Sequence, residues 1–352
     1  MVDWSLARQV ARFAAGSAPA AGKGEALPAI VARVEPEIAG YTKLRPVAPV
    51  PETELLSRAE WAELNVGTLG ELLDPVGDRL GERLSRAGAL AGPLRAASGA
   101  TLAAEAGLVI GYVSHRILGQ YELSLLQPET PARLLFVTPN IEAAVHDLGV
   151  DEDSFLGWIA LHELTHVFQF SGVPWLQEHL AGLLRSYLET VEVQVKHGAA
   201  GGLPSLPDPA RLVEGFRDGG LAALVQTREQ RTIIGRVQAT MAVIEGYAEH
   251  VMDAVGAQTL PAYDGLRDAM TERRSSRSAP ERVLQRLLGL DVKLRQYELG
   301  KSFCDEVVGW SGIEGLNRVW SQPEALPSMV ELRRPERWLA RVRDAAPAAA
   351  TA

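Results

Sequence analysis

Residues 162–166 read His-Glu-Leu-Thr-His. On a helix, two histidines at i and i+4 stand one turn apart on the same face. Their ring nitrogens can converge on one cation at about 2.0–2.1 Å, the bond length of histidine to zinc. Glu163 sits one residue on, about 100° around the axis, so it can reach a water on the ion rather than the ion itself. Hydrolysis needs this division of labour. The ion lowers the pKa of its water, and the neighbouring carboxylate takes the proton as the water attacks a polarised carbonyl. The bland alternative is a pair of surface histidines on an amphipathic helix.

A catalytic zinc has three protein ligands and one open position, so a third ligand must come from elsewhere. The segment Met241–Asp253 places Glu245 and Glu249 at i and i+4 in an otherwise apolar stretch. Such a pair on a buried face is costly unless a cation neutralises it. In the metal reading one of the pair, with Glu245 as the first candidate, is the ligand, and the other accepts a hydrogen bond from a ligand histidine, as metal-bound histidines usually require. The alternative is a solvent-facing pair, or one satisfied by Arg231 and Arg236. A second candidate for the third ligand is Glu178, twelve positions after His166, because the turn at Gly172–Pro174 could fold its helix back. His179 beside it is a further polar group for the cleft.

Several elements must position these groups. Asp151, Asp153 or Ser154 can cap a helix carrying Phe155, Trp158, Ile159, Leu161 and Phe168, and Ser171-Gly-Val-Pro174 stops it. A second helix is predicted from Trp175 to about Val195, others over 209–224 and 229–255, and more over 281–290, 299–309 and 335–344. Upstream, residues 2–15 form a helix, 36–51 with four prolines an extended segment, and 55–118 several helices broken near Asp74-Pro75 and Gly92-Pro93. Residues 120–126 and 133–138 are the two clear strands. Residues 271–280 read as a mobile loop, and 345–352 as a disordered tail.

Composition bounds the rest. The chain has 352 residues, 47% hydrophobic and 22% charged, as soluble globular proteins do. Its net charge of −9 argues against nucleic acid as a partner. A single cysteine, Cys304, excludes an intrachain disulfide or a Cys-based zinc site. The N-terminus shows no signal-peptide pattern. The most membrane-like segment, 96–114, is interrupted by Glu105 and reads as a buried Ala/Gly-rich helix rather than a span of about 20 apolar residues. A cytoplasmic location without membrane attachment is expected.

His162-Glu-Leu-Thr-His166 with a distant Glu245-Gly-Tyr-Ala-Glu249 resembles the gluzincin branch of zinc metallopeptidases. The resemblance implies His162, His166 and Glu245 as metal ligands, Glu163 as the base and Glu249 as a residue orienting a ligand histidine. The metzincin extension fails, because Gln169 and Gly172 stand where it needs Gly and His. The whole chain is similar to a family of actinobacterial zincin-like hydrolases, on Val2-Asp-Trp4, Leu118-Gly-Gln-Tyr121, 162–170, Pro174-Trp-Leu176 and 245–253. Some members are associated with deazaflavin-coenzyme biosynthesis, although no residue here points to flavin binding. From His166 to Glu245 is 245 − 166 = 79 positions, longer than in the thermolysin-like pattern, which keeps Glu178 in play. The resemblance also implies that a strand before the metal helix, here 133–138, offers an unpaired edge to an extended substrate. Tyr247, His250 and His179 are candidates for stabilising an oxyanion.

The expected fold is therefore mostly α (α+β), a helix-rich zincin-like fold with a small sheet. Residues 1–117 would be an N-terminal helical region packing on the core, and 118–344 the catalytic region. The expected function is zinc-dependent hydrolysis, of a peptide or protein. The alternatives are a non-peptide amide as substrate, or a zinc-binding scaffold without turnover.

Overall fold

Helix α1 (Trp4–Ala15) starts where Asp3 accepts the Leu6 N–H at 3.0 Å, so one of the orphan donors of its first turn is satisfied. The computed structural model describes residues 2–20, 26–84, 91–198, 227–275 and 290–344. The order continues with α2 (Leu27–Thr42), β1 (Thr53–Leu56), α3 (Arg58–Leu84), α4 (Ala91–Ser114), β2 (Gly119–Glu122), β3 (Arg133–Val137), α5 (Thr138–Leu148), α6 (Glu152–Gly172) and α7 (Trp175–Gly198). Then come α8 (Arg228–Thr259), α9 (Tyr263–Ser275), α10 (Leu290–Leu316), two 3₁₀ turns, α11 (Met329–Leu332) and α12 (Pro335–Asp344). This is the helix-rich α+β fold with a small sheet that the sequence led us to expect.

Contacts group the chain into two compact units, 1–33 with 50–163 and 34–49 with 164–352. The expected boundary at 117/118 falls inside the first of these units.

In the first unit, α1, α3 and α4 pack together. Ala7, Ala11 and Ala15 of α1 and Ala103 of α4 are fully buried with Trp61, Ala62 and Val66 of α3. The small residues let the helix axes approach: a Cβ on Gly107 would lie 2.5 Å from the Ala7 carbonyl oxygen. Segment 96–114 is thus helical, but over 99–114 it is buried on one side only, with Leu102, Leu108 and Val109 exposed. No helix among the described residues is long and apolar enough to cross a membrane. Asn140 at the start of α5 donates to the carbonyls of Ser114 and Ile117, both at 2.6 Å. The Ser114 carbonyl is one of the acceptors that the end of α4 leaves without a helical partner.

The sheet order is β1-β3-β2, with β1 parallel and β2 antiparallel to β3. Residues 134–137 of β3 are all buried, as in a strand covered on both faces. This corrects one expectation. The strand at 133–138 has no unpaired edge, because β1 and β2 take both sides. The open edges belong to the outer strands. β1 itself escaped the sequence reading, since four residues of uniform half-burial show no alternation.

In the second unit, α8 begins with a capping box in which Thr227 and Gln230 satisfy each other's backbone N–H groups. It crosses α10 at backbone contact: a Cβ on Gly246 would lie 2.2 Å from the Gly300 carbonyl carbon. Trp338 of α12 is fully buried, packs edge-on against Phe303 and donates to the Ala325 carbonyl at 2.7 Å.

Three local expectations change. Residues 36–42 are helical, the second half of α2, despite Pro36. The buried face Ile30, Val34 and Ile38 continues through the proline, so packing outweighs the lost hydrogen bond. Likewise α3 runs through Asp74-Pro75 without a break. Residues 271–275 belong to α9 rather than to a loop. The predicted helices at 209–224 and 281–289 and the tail at 345–352 lie outside the described residues.

Candidate metal centre

Helix α6 carries the first two candidate ligands. Asp151 caps it, accepting from the Ser154 N–H at 2.8 Å and the Ser154 hydroxyl at 2.7 Å. Residues 154–161 and 163–169 are buried nearly without interruption, which marks a helix enclosed on all sides rather than an amphipathic surface one. Polar groups in such a helix are costly unless they are partnered.

His166 has a partner at each ring nitrogen. Its Nδ1 lies 2.9 Å from Gln169 Oε1, and its Nε2 lies 3.8 Å from Glu245 Oε2. Gln169 is fully buried and donates through Nε2 to the Ile244 carbonyl at 2.9 Å. His162, His166 and Glu245 each offer a ligand atom, and these atoms lie within 4.8 Å of one another; among the described residues no other trio of His, Cys, Asp or Glu does so. Two donors about 2.0–2.2 Å from a tetrahedral zinc stand roughly 3.4 Å apart, so the 3.8 Å separation needs only a small closure. Two imidazoles and a carboxylate are a donor set that zinc accepts with one position open. The residues fit the ion.

Glu163 is 7% exposed and lies along the outer edge of β2. Its Oε2 accepts the Tyr121 N–H at 2.9 Å. A Cβ on Gly119 would sit 2.7 Å from Glu163 Cγ and 2.9 Å from its Oε1. Gly119 is therefore what leaves room for this carboxylate, and Tyr121 supplies the backbone donor. The sequence reading noted Leu118–Tyr121 only as a matching stretch. A glycine opening a short strand is the signal of a close approach.

Glu245 is set by the α8–α10 crossing. Gly246, the next residue, touches Gly300 backbone to backbone. Glu249 is half-buried one turn further along α8. The partner seen on His166 is Gln169, which the sequence reading used only to dismiss the metzincin pattern. Glu178 is not brought to the histidines: its side chain is 68% exposed and ion-paired with Arg185.

The three oxyanion candidates are engaged in other ways. Tyr247 is fully buried and donates to Asn317 Oδ1 at 2.9 Å, and burial pushes its hydroxyl far above the usual tyrosine range. His250 shares hydrogen bonds with the Tyr41 hydroxyl at 2.6 Å and with Asp305 at 2.7 Å. His179 packs edge-on against Trp175 and lines a cavity of about 640 Å³ with Arg231, Arg236, Thr240 and Glu324. Burial, with help from the charge of Arg236, lowers its pKa.

A protein of Chloroflexus aurantiacus, described from its crystal structure as an inferred hydrolase with a novel fold, is similar to this chain at 32% identity. The match covers 97% of this chain and 99% of that one, with a TM-score of 0.71. Among curated proteins, none matches. The family described as zincin-like metallopeptidase matches residues 2–339, so the chain belongs to that family.

Proposed function

We propose that this chain is a zinc-dependent hydrolase that cleaves peptide bonds. The observation that carries the reading is the convergence of His162, His166 and Glu245 within 4.8 Å, with Glu163 on the turn of helix that bears His162. The three residues would hold the ion. Bound zinc would polarise the scissile carbonyl and acidify a water. The Tyr121 N–H orients the Glu163 carboxylate, which takes the proton of the attacking water and delivers it to the leaving amine. The absence of a Glu163 methylene's competitor at Gly119 keeps that carboxylate against the β2 edge. Glu249 remains a candidate for orienting His162.

The β2 edge also favours a second reading, a non-peptide amide as substrate. Glu163 already occupies the Tyr121 N–H, so a peptide laid along this four-residue strand must share its edge with the base. A compact amide needs no such strand. A role beside deazaflavin-coenzyme synthesis, which the resemblance brings, adds no substrate to either reading.

Zinc content and peptide-library cleavage test the proposal together. One zinc per chain is expected in wild type and in Glu178→Ala, and loss of it in His162→Ala and Glu245→Ala. Glu163→Gln should keep the metal and lose about 10²–10⁴-fold in cleavage rate. Zinc without cleavage would favour the non-peptide amide or the scaffold. No zinc uptake by metal-supplied wild type would overturn the reading.

A further inference from the structure

Gln169 sits three residues after His166, on the same face of α6, and is fully buried. An amide side chain can present its oxygen or its nitrogen to a neighbour, and the hydrogen-bond network decides which. Here the decision is forced from the far side. The partner across the gap is the Ile244 carbonyl, 2.9 Å away, which can only accept. The Gln169 NH2 group must therefore face Ile244, and its oxygen must face His166 Nδ1 at 2.9 Å. An oxygen there requires hydrogen on Nδ1. The neutral ring then carries its lone pair on Nε2, the nitrogen turned toward Glu245 at 3.8 Å.

Ile244 directly precedes Glu245 in α8. One side chain thus binds both the ring of one candidate ligand and the backbone beside another. From these contacts we infer that Gln169 is the positioning residue of the metal centre. It selects the His166 tautomer that can ligate through Nε2, and it sets the spacing of α6 and α8 where the two ligands leave their helices. The inference rests on the metal reading proposed above. It gives Gln169 the orienting part for His166; the sequence pattern had offered Glu249 for a ligand histidine without naming which.

Outer partners of this kind usually contribute 10–100-fold to metal affinity. The test compares wild type, Gln169→Met and Gln169→Glu. Zinc affinity is measured by chelator competition, and the histidine tautomer by nitrogen NMR on the metal-free proteins. Gln169→Met, of similar length but without polar contacts, should bind zinc about 10–100-fold more weakly and lose the Nδ1–H preference of His166. Gln169→Glu keeps an acceptor at Nδ1 but loses the donor to the Ile244 carbonyl, so it should restore the Nδ1–H tautomer and only part of the zinc affinity. A purely structural role would not make the tautomer follow the acceptor. Zinc binding of Gln169→Met equal to wild type would overturn the inference and leave the metal reading intact. An Nε2–H tautomer of His166 in metal-free wild type would overturn it without any variant, even if Gln169→Met failed to fold. Failure of wild type to bind zinc would sink the metal reading, and the positioning role with it, whatever the tautomer.

Discussion

Two helix crossings in this molecule use the same device for different ends. Between α1 and α4, small residues at four-residue spacing, Ala7, Ala11 and Ala15 against Ala103, Gly107 and Gly111, form a seam two turns long. Between α8 and α10 the close approach is concentrated at Gly246 and Gly300, with the Ala242 carbonyl against the second glycine. The first seam is closed by apolar packing with Trp61 and Val66. The second is flanked by polar contacts: His250 with Asp305, and Lys301 with both Asp253 and Asp305. The first supports a bundle. The second lies one residue from a candidate ligand, so an error in its spacing passes straight to Glu245. Glycine is needed in both places for lack of room, yet only one of them is coupled to chemistry.

The comparison is most easily broken at Gly300. A Cβ there would sit 1.8 Å from the Ala242 carbonyl oxygen, and backbone cannot give way as a side chain can. Gly300→Ala should destabilise the fold by about 3 kcal/mol or more and weaken zinc binding as well. Denaturant unfolding followed by chelator competition measures both, and a variant with wild-type zinc affinity would uncouple the crossing from the site. Gly107→Ala should cost about 1–3 kcal/mol, because its contacts with the Ala7 carbonyl at 2.5 Å and Val10 Cβ at 2.8 Å also demand movement. Its zinc affinity should match wild type; a parallel loss would show that the two seams are not separate in effect.

The smallest effect sharpens the polar side of the contrast. Burial raises the pKa of Asp305, but hydrogen bonds from His250 and Lys301 outweigh it and leave the group below its ordinary range. A carboxylate depressed in the folded state contributes stability above its unfolded pKa, and that contribution is lost as pH falls through the folded value. Asp305→Asn should therefore lower stability near neutral pH by about 1 kcal/mol or less, since the side chain is partly exposed. The difference from wild type should shrink as pH drops below the carboxylate range. Unfolding midpoints across that range check it, and a constant difference would remove Asp305 from the pH response.

Much of the candidate site was legible because its first part is local. His162, Glu163 and His166 lie within five residues, so helical periodicity alone places the two histidines on one face. The Asp151 cap and the stop at Gly172–Pro174 delimited α6 nearly to the residue. Pro36 misled because a local rule, the missing N–H, met a longer-range one, the buried face running through it. β1 misled because four half-buried residues carry no period.

By itself, then, the sequence determined the helix-rich class, the cap candidates of α6, the His-Glu-X-X-His face and a short list of carboxylates. These follow from bonds and periods that act over a few residues. Tertiary structure alone decided between Glu178 and Glu245 for proximity to the histidines, because a separation of 79 positions carries no distance information until α8 packs. It alone made β3 a central strand, laid Glu163 on the β2 edge against Gly119, and turned Gln169 from a mismatch to one motif into the link between His166 and Ile244. Each depends on backbone groups of another element arriving within about 3 Å, the reach of a hydrogen bond, and only the folded chain brings them there.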